Sequence, residues 1–230
     1  MIDIASPQEV ASIIDQTLLQ PTASQDQVLR FCEEAAALRF AAVCIAPSWV
    51  RLAAKVVNSA PVRVCTVAGF PLGFEPIELK VRAMLAALDE GAEEIDYVVN
   101  LGAVKGEDYG LIAAEMEAMR RGSESSLVKV ILETGYLTQQ EKKHLCELAG
   151  STGLDFVKTS TGFGPTGASV ADVEFLVECS QGRVRVKAAG GIRSLQDLET
   201  MLMAGAHRIG TSAGRDIIDQ VTSRRDESNC

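Results

Sequence analysis

Two lysines in this chain stand where an apolar strand gives way to glycine. In "LDFVKTSTGFG", residues 154–164, Lys158 closes the apolar run. In "VRVKAAGGIR", residues 184–193, Lys187 does the same. Glycine follows four residues after Lys158 and three after Lys187, which predicts two amines at similar height at the carboxyl ends of two strands. A lone lysine at a strand end is ordinarily a surface residue snorkelling to water. Two in matched positions above glycine loops read better as a functional pair. Neighbouring strands lie about 4.8 Å apart, and like charges disfavour each other's protonation. Two ammoniums 4 Å apart repel by about 4 kcal/mol at an effective dielectric near 20. Moving a lysine pKa from about 10.4 to about 7 takes a little over 4 kcal/mol. One ammonium can therefore supply most of what its neighbour needs to become a neutral, Schiff-base-forming amine at pH 7.

Side-chain alternation says which way these groups point. In "VRVKAA", Val184 and Val186 share one face and Arg185 and Lys187 the other. A helix-covered face should be apolar, so Lys187 is expected inside. In "LDFVKT", Lys158 shares parity with Leu154 and Phe156 while Val157 points the other way, so this strand alone is ambiguous. The matched glycine loops argue for an inward Lys158. Parity leaves open which of the two amines attacks.

Carboxylates accompany them. In "EEIDYVV", Glu94 and Asp96 share a face opposite Ile95 and Tyr97; in "LVKVILE", Lys129, Ile131 and Glu133 share one opposite Val130 and Leu132. Glu94, Lys129 and Arg185 are expected to form a lower, structural layer of ion pairs. Asp96 sits higher, near the lysines, where a carboxylate can move protons during imine and enamine formation. Asp15, in "IIDQTLL", is a second candidate, and reads equally well as a cap or turn residue. Cys44 is expected near the end of the second strand as a small core residue.

The elements that must position these groups alternate along the chain. Strands are expected at 12–17, 41–46, 62–67, 93–99, 127–133, 154–159, 184–189 and 206–211. Amphipathic stretches lie between them. "SQDQVLRFCEEAAALR" opens on a Ser cap, "EPIELKVRAMLAALDEGA" has Pro near its start, and "LTQQEKKHLCELAG" and "SLQDLETMLMAGA" run into glycines. Eight strands with crossover helices in 230 residues predict an α/β fold, a single (β/α)8 barrel spanning 1–230. An open doubly wound sheet normally carries a Gly-rich loop after its first strand; here "LLQPTAS" follows. The glycines gather late, in "STGFGPTG", "AGGIRS" and "GTSAGRD". Loops after the last strands of a barrel are the usual phosphate site, with backbone N–H groups facing the anion.

Bulk properties exclude several classes. A net charge of −9 opposes a nucleic-acid surface. No apolar run approaches a membrane span, and the first residues lack signal-peptide character, so the cytoplasm is the expected compartment. The six cysteines (32, 44, 65, 146, 179 and 230) form no CxxC pair and read as buried reduced thiols. The two histidines, His144 and His207, have no ligand-like neighbours, so no metal site is expected, and His144 reads as part of a solvated helix face.

The segments "DQTLL", "VCIAPSWV", "VCTVAGFPLG", "EIDYVVNLG", "KVILETGYLT", "FVKTSTGFG", "VKAAGGIR" and "RIGTSAG", in this order, resemble the deoxyribose-phosphate aldolases. These are class I, Schiff-base enzymes with a (β/α)8 fold, and the resemblance covers nearly the whole chain. It implies reversible cleavage of 2-deoxy-D-ribose 5-phosphate to acetaldehyde and D-glyceraldehyde 3-phosphate, with no cofactor. By this resemblance Lys158 is the nucleophile, Lys187 the neighbouring ammonium, Asp96 the acid/base carboxylate, and Asp15 a member of the network around substrate hydroxyls. Thr161, Gly162, Gly190, Gly191, Gly210 and Ser212 would hold the substrate and its phosphate. The implied partners are a sugar phosphate and aldehydes, with a homo-oligomer, dimer or tetramer, as the assembly. Two departures stand out. Phe163 occupies a position where some members carry lysine, and the "RRDESNC" tail lacks the terminal tyrosine of some members.

Overall fold

The computed structural model describes residues 6–123 and 125–228. Eight parallel strands close in sequence order: β1 (Ile14–Leu18), β2 (Ala42–Ile45), β3 (Arg63–Ala68), β4 (Glu94–Val98), β5 (Leu127–Ile131), β6 (Phe156–Lys158), β7 (Arg185–Ala189) and β8 (Arg208–Thr211). Pairing of β8 with β1 completes the barrel, with Ile14 opposite Ile209 and Asp15 opposite Gly210. This is the (β/α)8 architecture that the alternation of the sequence predicts. The expected strands are all present, most of them trimmed by a residue or two at their ends.

The described helices are α1 (Pro7–Ala11), α2 (Gln25–Leu38), α3 (Val50–Val57), α4 (Ile77–Asp89), α5 (Leu101–Lys105), α6 (Tyr109–Gly122), α7 (Gln139–Ser151), α8 (Val170–Ser180), α9 (Leu195–Met203) and α10 (Gly214–Ser228). Their starts are written in the sequence. Ser24, Thr138 and Ser194 each accept the backbone N–H three residues on, while Gln27, Glu141 and Asp197 reach back to the cap N–H. Each such reciprocal cap satisfies two N–H groups that the helix itself leaves unpaired.

Two cores result. The outward faces of the strands, with Val43, Val64, Ile95, Val130, Val157, Val186 and Ile209, pack under the helices in one continuous apolar shell. The apolar part of the barrel interior is smaller: a cluster of Ala42, Cys44, Cys65 and Val67 on β2 and β3, with buried Val98, Ile131 and Phe156 at the inward positions of β4, β5 and β6. Most of the rest of the interior is ionic. A further buried pair lies between helices, where Lys80 of α4 donates to Glu115 of α6 at 2.7 Å and to the Val98 carbonyl at 2.8 Å. Burial, partly offset by Lys80, leaves the Glu115 carboxyl above the usual carboxylate range. Periodicity alone reads Lys80 as one more polar helix residue.

Candidate active site

Ile95 and Tyr97 take the outward positions of β4, so Glu94 and Asp96 point into the barrel, where both are fully buried. The same alternation sends Lys129, Lys158 and Lys187 inward from β5, β6 and β7. Strand register sets Lys158 beside Lys187 and Lys187 beside Arg208. Lys158 Nζ donates to Asp96 Oδ2 at 2.8 Å, and Lys187 Nζ donates to the same oxygen at 2.7 Å. Lys187 also donates to Asp15 Oδ2. The other Asp96 oxygen accepts from Lys129 at 2.8 Å and from the Cys65 thiol at 3.3 Å. Below them Lys129 meets Glu94 at 2.6 Å, and Arg208 bridges Asp15 at 2.5 Å and Glu94 at 3.0 Å.

Burying this many charges costs several kcal/mol per ion unless each is matched. The matching shows in the ionisation of the members. Desolvation pushes Asp96 and Asp15 towards the neutral form, yet the surrounding cations hold both below the ordinary carboxylate range. Burial likewise opposes charge on Lys187, Lys129 and Arg208, and their carboxylates outweigh it, so all three are held firmly cationic. Inside the barrel, three carboxylates (Asp15, Glu94, Asp96) therefore face four basic groups (Lys129, Lys158, Lys187, Arg208).

Three expectations change. The two lysines do not repel across empty space; Asp96 lies between them and absorbs much of the repulsion. Arg185 does not join the lower layer. It is exposed, with its guanidinium over the Phe156 ring at 4.1 Å, and Arg208 fills the layer instead. Gly210 was the available signal, since Arg208 shares its face. Lys129 is also more than a lower strut, because it holds Asp96 directly. Asp15 lies beneath Lys187, in the ionic layer, and is no turn residue.

The mouth of the barrel holds a cleft of about 220 Å³. Lys158, Thr161, Gly162, Gly190, Gly191, Gly210 and Ser212 all line it, joined by Phe163 and by Arg193, which the sequence did not single out. Of the buried basic groups among the described residues, only Lys158 reaches this cleft. Among the described residues, the N–H groups of Gly162, Gly190, Gly191 and Ser212 have no acceptor, which suits an anion. Thr161 differs: its N–H and its hydroxyl both go to the Glu133 carboxylate. Gly210 differs too. A Cβ there would lie 3.0 Å from Ala189 Cβ and 3.1 Å from Lys187 Cε, so glycine makes room for the lysine stem. Phe163 stacks edge-on against Phe70 at 5.5 Å between centroids.

Cys44 and Cys65 are buried side by side, as core thiols should be. With Asp96 they offer three ligand atoms within 4.8 Å of one another. A metal ion there would meet Lys129, Lys158 and Lys187 already seated on that carboxylate, which makes the set a poor one. His144 is not simply solvated: its ring packs on Tyr109 at 4.6 Å, far from the cleft. Cys230 and the end of the C-terminal tail lie outside the described residues.

A (β/α)8 barrel with a matched lysine–carboxylate cluster, one amine of which opens on an amide-lined cleft, defines a class I aldolase, a lyase working through a lysine Schiff base. A family model described as DeoC/LacD family aldolase matches residues 10–220, and the chain belongs to that family. The deoxyribose-phosphate aldolase of Halalkalibacterium halodurans is 46% identical over 212 residues, covering 91% of this chain and 95% of that protein. Among solved structures, "QR15, an Aldolase" superposes with a TM-score of 0.91 at 39% identity, covering 98% of both chains. The deoxyribose phosphate aldolase of Aeropyrum pernix, described as a unique tetrameric structure, superposes with a TM-score of 0.88 at 31% identity, covering 95% of this chain and 93% of that one.

Proposed function

We propose that this aldolase cleaves 2-deoxy-D-ribose 5-phosphate reversibly to acetaldehyde and D-glyceraldehyde 3-phosphate, with Lys158 as the nucleophile. The observation that carries the assignment is that Lys158 alone among the buried basic groups lines the cleft, while Lys187 is sealed beneath it by Asp15 and Asp96. Charge matching supports it. Lys129, Lys187 and Arg208 already match the three carboxylates inside the barrel, so Lys158 is the basic group in excess.

In the cleavage direction the neutral amine adds to the C1 aldehyde, and loss of water gives the iminium. The C3 hydroxyl loses its proton to Asp96 through water, and the C2–C3 bond breaks. Its electron pair passes to the iminium as an enamine, and glyceraldehyde 3-phosphate departs. Protonation of the enamine carbon from Asp96, again through water, and hydrolysis then free acetaldehyde and regenerate the amine. Asp96 suits this shuttle because it already receives a hydrogen bond from Lys158 Nζ at 2.8 Å. Asp15 acts through Lys187, fixing its charge and position. The phosphate takes the N–H groups of Gly162, Gly190, Gly191 and Ser212, with Arg193 as the nearby cation. We further propose a cytoplasmic enzyme that works as a homo-oligomer. Among the described residues no helix is long and apolar enough to cross a membrane.

Borohydride reduction with acetaldehyde, followed by peptide mapping, tests the assignment. A two-carbon adduct on Lys158 is expected. Label on Lys187 alone, or none at all, would overturn it.

A further inference from the structure

Glu133 is a buried carboxylate that the reaction above does not use. It stands just past β5 in the left-handed backbone region, at φ 55°, which a non-glycine residue seldom adopts. Such a conformation persists only where its surroundings hold it. The side chain shows what holds it. Its oxygens accept the Thr161 N–H at 3.2 and 3.3 Å and the Thr161 hydroxyl, and Thr161 Oγ1 in turn accepts the Phe163 N–H at 3.0 Å. One carboxylate thus fastens the loop that begins immediately after Lys158. The fit leaves no slack: a Cβ on Gly164 would lie 2.6 Å from the Glu133 carboxyl carbon. Hydrogen bonds to charged groups are the stronger kind. The latch also sorts the donors of the loop. By taking both of Thr161's, it leaves the Gly162 N–H as the loop's donor towards the cleft.

We infer that Glu133 is a positioning residue for phosphate recognition: it sets the amide of Gly162 against the phosphate and leaves the chemistry at Lys158 largely untouched. The inference rests on the phosphate reading given above. It predicts an effect that follows the phosphate and not the carbonyl carbon. In Glu133→Ala, KM for 2-deoxyribose 5-phosphate should rise about tenfold or more, the size expected for losing a charged hydrogen bond. The kcat/KM for unphosphorylated 2-deoxyribose and the rate of borohydride trapping with acetaldehyde should change less than about threefold. Inhibition by inorganic phosphate should weaken in parallel. Glu133→Gln, which can still accept the Thr161 N–H, should recover part of the loss.

Equal losses with both sugars, or no change in either, would overturn the inference. Thr161→Val keeps the Thr161 N–H on Glu133 and removes the hydroxyl, and with it the acceptor of the Phe163 N–H. It keeps the question decidable if Glu133→Ala does not fold; a KM for the phosphorylated sugar unchanged in Thr161→Val would also overturn it. Wild-type enzyme that forms no acetaldehyde adduct, or that ignores inorganic phosphate, would instead sink the underlying reading, so the two failures are distinguishable.

Discussion

Lys158 and Lys187 donate to one and the same oxygen, Asp96 Oδ2, at 2.8 and 2.7 Å. A carboxylate oxygen shared by two amines couples them in charge more closely than distance alone. Whatever is done to one changes what the other must neutralise.

Lys187→Met puts this coupling to use. Without Lys187, the buried cations facing the three carboxylates are Lys129, Arg208 and Lys158, with Arg63 reaching Glu94 from the exposed start of β3, and the charge on Lys158 becomes the one that completes the buried match. The amine is then harder to free. The activity profile should move about 1–2 pH units higher, and kcat at pH 7 should fall by about 10- to 100-fold, the neutral amine lost to a shift of that size. Rate against pH between 6 and 10 decides it; an unshifted profile would count against the shared-oxygen argument.

Gly210→Ala tests how tightly Lys187 is held. The added methyl would stand 3.1 Å from Lys187 Cε and 3.0 Å from Ala189 Cβ, and the lysine cannot retreat without loosening its hold on Asp15 and Asp96. Overpacking of this kind costs about 1–3 kcal/mol. Urea denaturation should register that loss together with a lower kcat. A variant as stable and active as the parent would mean that the stem has room to move.

Stability in alkali should be governed first by core thiols. Burial pushes Cys32 and Cys146 up to about 12, whereas an unfolded cysteine titrates near 8.5. A folded pKa above the unfolded one gives stability that is complete below about pH 8.5 and lost as pH climbs towards the folded value. Lys187 and Lys129 are also raised, so their contribution persists to about pH 10.4 before it begins to fall. The urea midpoint should therefore decline between about pH 8.5 and 10.5, and less steeply in Cys32→Ala. Equal slopes in the two proteins would remove the thiol from the explanation.

The barrel was legible because its outer shell is a plain two-residue alternation: Val184 and Val186, or Ile95 and Tyr97, can face nothing but helices. The glycine punctuation then located the catalytic end. The interior was harder. Alternation says that Arg185 and Lys187 share a face but not how far up the barrel each reaches, and Arg185 sits low enough to escape to solvent over Phe156. Arg208 shares the inward face of Gly210, but a single arginine near the start of a strand looks in sequence like any solvent-facing residue. Asp15 could not be separated from a turn residue, since its partners lie 172 and 193 positions away. The Glu133–Thr161 latch was hidden for a similar reason: no periodicity describes a left-handed residue that reaches across to another loop.

The ionic cluster also divides the chain in two. Asp15, Glu94 and Asp96 all belong to β1–β4, while Lys129, Lys158, Lys187 and Arg208 all belong to β5–β8. Apart from Arg63 at the exposed start of β3, which meets Glu94 at 3.6 Å, the first half-barrel carries an acidic lining and the second a basic one. Neither half can dry its interior alone without stranding like charges, and each is the counterion of the other. A nascent chain holding only the first four strands must keep that lining wet until the second half emerges. Closure of the ring and neutralisation of its interior are then a single event, so half-folded forms are disfavoured by electrostatics as well as by lost packing.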